Sequence, residues 1–160
     1  MKKIVALILF LTISISSFAQ IQRKIFGCTL GVTRLPQVEK ILETNYKNPW
    51  FDGSKTYFYL ENIEYGGYMW SKVTFNFYNK VLSSVTFSGF NLVSVCDFSG
   101  MESSLSSRYS KYKTNGGYDD GTTIISTSFN QLSNGYNSAT IKYEHKPFVK
   151  QKKVDNDNAW

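Results

Sequence analysis

The chain has 160 residues, with 18 Lys and Arg against 12 Asp and Glu for a formal charge of +6. Aromatic residues make up 16% of it and charged residues 19%, which excludes a disordered, charge-rich polymer. The positive excess gathers at the ends, on Lys2 and Lys3 and then on Lys142, Lys146, Lys150, Lys152 and Lys153, so no basic stripe marks a nucleic-acid face.

Residues 1–19 read as a signal peptide. Lys2 and Lys3 precede an apolar run over 4–13, which is shorter than the roughly 20 residues of a membrane-spanning helix. Ser17-Phe18-Ala19 then places small residues where a signal peptidase reads. The expectation is cleavage after Ala19 and a mature chain that begins at Gln20 in the periplasm or outside the cell. No second long apolar run follows, so no transmembrane segment is expected in it. The remainder, about 140 residues, is the size of one domain. That domain is expected over 20–146, followed by a basic and polar tail over 147–160.

Residues 20–28 read as an extended lead-in. Ile25-Phe26-Gly27-Cys28 loosely matches a lipobox, but Phe26 is bulky and Arg23 and Lys24 separate it from the apolar run. Thr33 reads as an N-cap, Pro36 suits a first turn, and Leu35, Val38, Ile41 and Leu42 recur at helical spacing. A helix over 34–44 is predicted, ended by Asn45 in the left-handed conformation. Asn48-Pro49 and Asp52-Gly53 mark a loop. Strands are predicted over 56–63, 68–78 and 81–88, joined by turns at Gly66-Gly67 and Asn79-Lys80. The stretch 90–98 is ambiguous between irregular backbone, strand and an early helix start. Ser99 followed by Glu102 makes a capping-box pattern, and Met101, Leu105, Tyr109 and Tyr112 trace one helical face that Gly116-Gly117 ends. After Asp119-Asp120-Gly121, strands over 122–130 and 136–145 close through Ser133-Asn134-Gly135. The predicted fold is α+β, an antiparallel sheet of about five strands with two helices packed on one face, in the order α-βββ-α-ββ.

Period-two alternation assigns two sheet faces. Val73, Phe75, Phe77, Val85, Phe87, Ile125, Phe129, Ala139, Ile141 and Tyr143 are expected to face the helices. Tyr68, Trp70, Lys72, Thr74, Asn76 and Tyr78 are expected to face outward, with Tyr57, Tyr59 and Glu144 from neighbouring strands. Tyr and Trp offer large contact area with few rotatable bonds. The expected binding residues are therefore Tyr57, Tyr59, Tyr68, Trp70 and Tyr78 as anchors, with Lys72 and Glu144 fixing orientation.

Cys28 and Cys96 form either one disulfide, which an oxidising compartment permits, or two small buried hydrophobes that never meet. His145 is the single histidine and reads as structural. No catalytic residue, cofactor or metal site is expected. Asp119-Asp120-Gly121 and Asp155-Asn156-Asp157 lack calcium-loop spacing, and no Gly-rich loop leads a strand into a helix.

Gly31-Val32-Thr33 followed by Val38 and Ile41-Leu42, together with the hairpin from Val73 through Asn79-Lys80 to Val81, Leu82 and Val85, resembles the SmpA/OmlA (BamE-like) envelope domains. It is also similar to the β-lactamase-inhibitor-like fold. The resemblance implies a capped helix leading into an antiparallel sheet, and an envelope location. The envelope-assembly lipoproteins carry a lipidated Cys directly after the signal peptide, where this chain has Gln20. The expected function is a non-enzymatic domain that binds an envelope or secreted protein, or a cell-surface polymer, through the aromatic face. An inhibitor of a secreted enzyme would use that same face. The alternative is a small glycan hydrolase with a carboxylate pair drawn from Asp52, Glu61 and Glu64.

Overall fold

A computed structural model describes residues 20–47, 49–51, 57–90, 95–131 and 137–157. The signal-peptide reading, the Asp52-Gly53 loop and the Ser133-Asn134-Gly135 turn lie outside the described residues. So does Asn48 of the Asn48-Pro49 pair.

A short hairpin, β1 (Lys24–Ile25) and β2 (Cys28–Thr29), leads into helix α1 (Leu35–Asn45). Strands β3 (Trp50–Phe51), β4 (Tyr57–Tyr65), β5 (Tyr68–Tyr78) and β6 (Val81–Phe90) follow, then helix α2 (Val95–Tyr109). A 3-10 turn over Ser110–Tyr112 precedes β7 (Lys113–Thr114), β8 (Gly117–Asp119), β9 (Thr123–Gln131) and β10 (Asn137–His145). Helix α3 (Lys146–Asp157) continues directly from β10. Among the described residues β3 to β10 form one antiparallel sheet of eight strands, ordered β3-β4-β5-β6-β10-β9-β8-β7.

This corrects the expected five strands and two helices. The fold is strand-rich, with a second, two-stranded sheet and a third helix. The extra strands are two or three residues long, too short to carry an alternation signal. Residues 147–160, expected as a tail, supply most of α3. Pro147 falls in its first turn, where the missing N–H costs nothing. The helix buries no residue of its own, but it is tied down. Lys146 pairs with Asp119, Asp155 accepts a hydrogen bond from Tyr78, and the Phe148 ring lies 5.3 Å from Tyr78 and 4.6 Å from His145.

Local chemistry at the helix ends also departs from expectation. Arg34, not Thr33, is the N-cap of α1, and Gln37 Oε1 accepts the Arg34 N–H at 2.9 Å. Thr33 Oγ1 instead accepts the Thr29 N–H, and α1 ends through Tyr46 in extended backbone. Because α2 already starts at Val95, Ser99 and Glu102 fall inside the helix and cap nothing. Gly116 turns the β7–β8 hairpin, and Gly117 opens β8.

The core lies between the helices and the sheet face expected to meet them. Val73, Phe75, Val85, Phe87, Ile125, Ala139, Ile141 and Tyr143 are buried there, with Phe77 and Phe129 partly so. Val38 and Leu42 close it from α1, and Met101, Leu105 and Tyr109 from α2. The lead-in expected as extended chain is the β1–β2 hairpin, whose Phe26 stands at φ 51°. A bulky side chain there costs about 1–2 kcal/mol. The ring offsets this by wedging among Tyr46, Tyr65, Phe75 and Phe87 at 4.9–6.0 Å, and such pairs contribute about 0.5–1.5 kcal/mol each.

Cys28 is a free, fully buried thiol, so the disulfide to Cys96 is not formed in this structure. Burial pushes the Cys28 thiol up to about 11, far from the nucleophilic range. The side chain of Cys96 lies outside the described residues. Among the described residues no helix is long and apolar enough to cross a membrane.

Candidate functional site

The strict alternation expected over 68–78 fails at one place. Val73 and Phe75 are buried as expected, but Trp70 is buried too, with 2% of its surface exposed. Residues three apart cannot share a face of a regular strand. The slip occurs in both strands of the hairpin. Between β4 and β5 the register runs from Glu61 opposite Lys72 to Ile63 opposite Trp70, and Asn62, which lies between, has φ 50°. Beyond that irregularity Ile63, Tyr65, Tyr68 and Trp70 turn to the core side, and Met69 turns out. β5 also leaves β6 there, because its pairing with β6 begins at Lys72 opposite Ser88.

The outward docking face expected from sequence is therefore corrected. Its two central anchors, Tyr68 and Trp70, belong to the inner face, under α2. A Cβ on Gly100 of α2 would sit 3.6 Å from the Tyr68 hydroxyl. The remaining members are dispersed and engaged. Lys72 Nζ lies 3.9 Å above the Tyr59 ring, and Trp50 is 5.3 Å from that ring. Glu144 pairs with Lys142 at 2.7 Å, and Tyr78 is held by Asp155 and Phe148 of α3. Tyr57 pairs with Asn76 in the sheet, and its side chain lies outside the described residues.

What the slip creates is a cavity of about 300 Å³ between α2 and the inner face of the sheet. Among the described residues six aromatic rings line it, those of Tyr65, Tyr68, Trp70, Phe87, Tyr109 and Tyr143. Trp70 is anchored by its indole N–H, which donates to the Tyr65 carbonyl at 3.1 Å, and its ring lies 5.3 Å from Phe87. Met101 and Leu105, one turn apart on α2, form the helical wall. The polar groups are few. Gln22 donates through Nε2 to the Tyr65 hydroxyl at 3.1 Å and through its backbone N–H to the Tyr109 hydroxyl at 3.4 Å, and Arg108 stands beside them in the last turn of α2. Burial raises the Tyr143 phenol far above its usual range and raises Tyr65 as well, so both remain protonated at neutral pH.

A second, more open cleft of about 580 Å³ lies on the other side of α2, lined by Ser99, Glu102, Ser106, Lys113 and the 114–118 turn. Among the described residues its lining is polar, and Tyr118 is the one ring in it.

His145 packs where Gly31 has no side chain, since a Cβ at Gly31 would meet the imidazole at 2.5–2.7 Å. Burial, and then the charge of Arg23, lower the His145 pKa, while the neighbouring Lys146 is paired with Asp119. His145 Nδ1, Arg23 Nε and Thr123 Oγ1 are buried without a partner among the described residues. Glu61 and Glu64, two of the three carboxylates considered for hydrolysis, are exposed on β4, and Asp52 lies outside the described residues. Among the described residues no three His, Cys, Asp or Glu side chains gather as a metal site would need.

The cavity residues came from separate parts of the chain, and one signal for them existed. Asn tolerates the left-handed conformation, so Asn62 inside an aromatic strand was the available hint that alternation would reset. No family model, curated protein or solved structure matches the chain.

Proposed function

We propose that the chain is an exported, non-enzymatic binding domain whose binding site is the aromatic cavity beneath α2. The observation that carries this reading is the 300 Å³ volume walled by six rings of the described residues, beside a core of buried apolar side chains. Packed interiors leave few voids larger than a water molecule. A cavity of this size with convergent polar groups is the ordinary form of a ligand pocket. Export rests on the residue pattern of 1–19. An envelope or secreted protein, or a surface polymer, would engage the site by presenting an apolar group small enough to enter. Among the described lining residues there is no Asp or Glu, so a carboxylate-pair hydrolase gains no support from this cavity.

The test uses N-phenylnaphthylamine, an uncharged probe that brightens in apolar surroundings. The purified chain should enhance its emission at one site. Ser104→Trp fills the cavity from an exposed position on α2 and should abolish the enhancement, with the melting temperature kept within about 3 °C. The outer-face pair Lys72→Ala and Glu144→Ala should leave binding unchanged. Loss of binding in the outer-face variants, with none in Ser104→Trp, would overturn the reading.

A further inference from the structure

Resting on that reading of the cavity, we infer the class of its ligand: a small anionic amphiphile. Its acidic head would meet Arg108 and the phenols of Tyr65 and Tyr109, and its apolar body would lie against Trp70 and Phe87.

The argument is an account of donors and acceptors. A phenol oxygen can accept a hydrogen bond and donate one of its own. Gln22 already donates to the oxygens of both Tyr65 and Tyr109, which leaves their O–H groups to donate, and no described residue accepts from them. Arg108 adds a guanidinium, a donor with no accepting capacity. It is in neither ion pair of the described residues, which are Lys142–Glu144 and Lys146–Asp119. The Tyr65 carbonyl, an acceptor at the rim, is taken by the Trp70 indole. With no carboxylate among its described lining residues, the cavity offers donors and positive charge, and its open side-chain acceptors are the neutral Gln22 Oε1 and the Ser104 hydroxyl.

Such a site favours an occupant that brings acceptors and negative charge, because charge-assisted hydrogen bonds to a guanidinium are the strong ones. A neutral occupant would leave the donors unanswered in a partly desolvated space. Arg108 also suits the negative end of the α2 dipole. That accounts for a cation in the last turn, but not for two phenols held with their protons free. The volume lies at the small end of ligand pockets, about 300–1,000 Å³, which limits the body to about three aromatic rings or a short alkyl chain.

The test pairs anilinonaphthalene sulfonate with N-phenylnaphthylamine, the same scaffold without the charge, on the full chain. The sulfonate should bind at one site, about tenfold more tightly than the neutral probe. Arg108→Gln should erase that preference without weakening the neutral probe, and Arg108→Lys should retain part of it. Arg108 is exposed, so neither variant threatens the fold. Equal affinity for the two probes, or a preference that survives Arg108→Gln, overturns the anionic assignment and leaves the cavity reading standing. Binding of neither probe, or binding of both that persists in Ser104→Trp, overturns both together.

Discussion

Trp70 donates its indole N–H to the backbone carbonyl of Tyr65, 3.1 Å away across the Gly66-Gly67 turn. This bond fixes a large ring on the inner side of a strand whose alternation, read from Val73 and Phe75, would have put it outside. Trp70→Ala is therefore expected to lower unfolding free energy by about 3–5 kcal/mol, as for other buried aromatic residues. Trp70→Phe should cost less, with about 1 kcal/mol of it from the lost hydrogen bond. An exposed anchor would give values within about 0.5 kcal/mol. Urea denaturation of the two variants distinguishes the cases.

Two adjacent glycines should behave in opposite ways. A Cβ on Gly117, at φ 140°, would lie 1.9 Å from the Ile125 carbonyl oxygen, where only backbone movement gives room. A Cβ on Gly116 would meet nothing within 4 Å. Gly117→Ala should therefore destabilise by about 2–3 kcal/mol or more. Gly116→Ala should be neutral or stabilise by up to about 1 kcal/mol through the unfolded chain. Melting temperatures measured side by side check the contrast.

The acid side of the stability profile should have two separate limbs. His145 is held below its ordinary 6.5 by burial and by Arg23. The unfolded chain therefore takes up a proton that the folded chain declines, and stability present above pH 6.5 is lost as pH falls toward the lower folded value. Asp119 is held below its ordinary 3.8, chiefly by the hydrogen bond from Lys146. Its contribution is present above that value and is lost as pH falls through the folded one. His145→Gln should flatten the urea midpoint between about pH 7 and pH 5, and Asp119→Asn should act only below about pH 4. A single limb unaffected by His145→Gln would contradict the first assignment.

Much of the architecture was legible because it rests on local chemistry. Asn79 and Lys80 both adopt positive φ in the tight turn their position between two alternating strands required. The inner set from Val73 to Tyr143 follows period two, and Met101, Leu105 and Tyr109 follow helical spacing. Elements without a local signature were missed. Phe26-Gly27 is not the Asn-Gly or Asp-Gly pair expected of a two-residue hairpin, and its stability comes from rings distant in the chain. Helix α3 carries no apolar stripe and is held at its ends by Asp119 and Tyr78. The cavity was illegible for the same reason. Gln22, Trp70, Leu105 and Tyr143 meet only through long-range packing, and one left-handed asparagine decides which way Trp70 points.

The most direct measurement makes Trp70 the sole tryptophan, through Trp50→Phe and Trp160→Phe, and follows its fluorescence during titration with N-phenylnaphthylamine. The cavity account predicts that Trp70 emission falls steeply as the probe fills one site per chain, by energy transfer across ring-contact distance, and that Ser104→Trp, carried in the original background, abolishes probe emission. Probe binding that leaves Trp70 emission unchanged would place the ligand elsewhere and contradict the account.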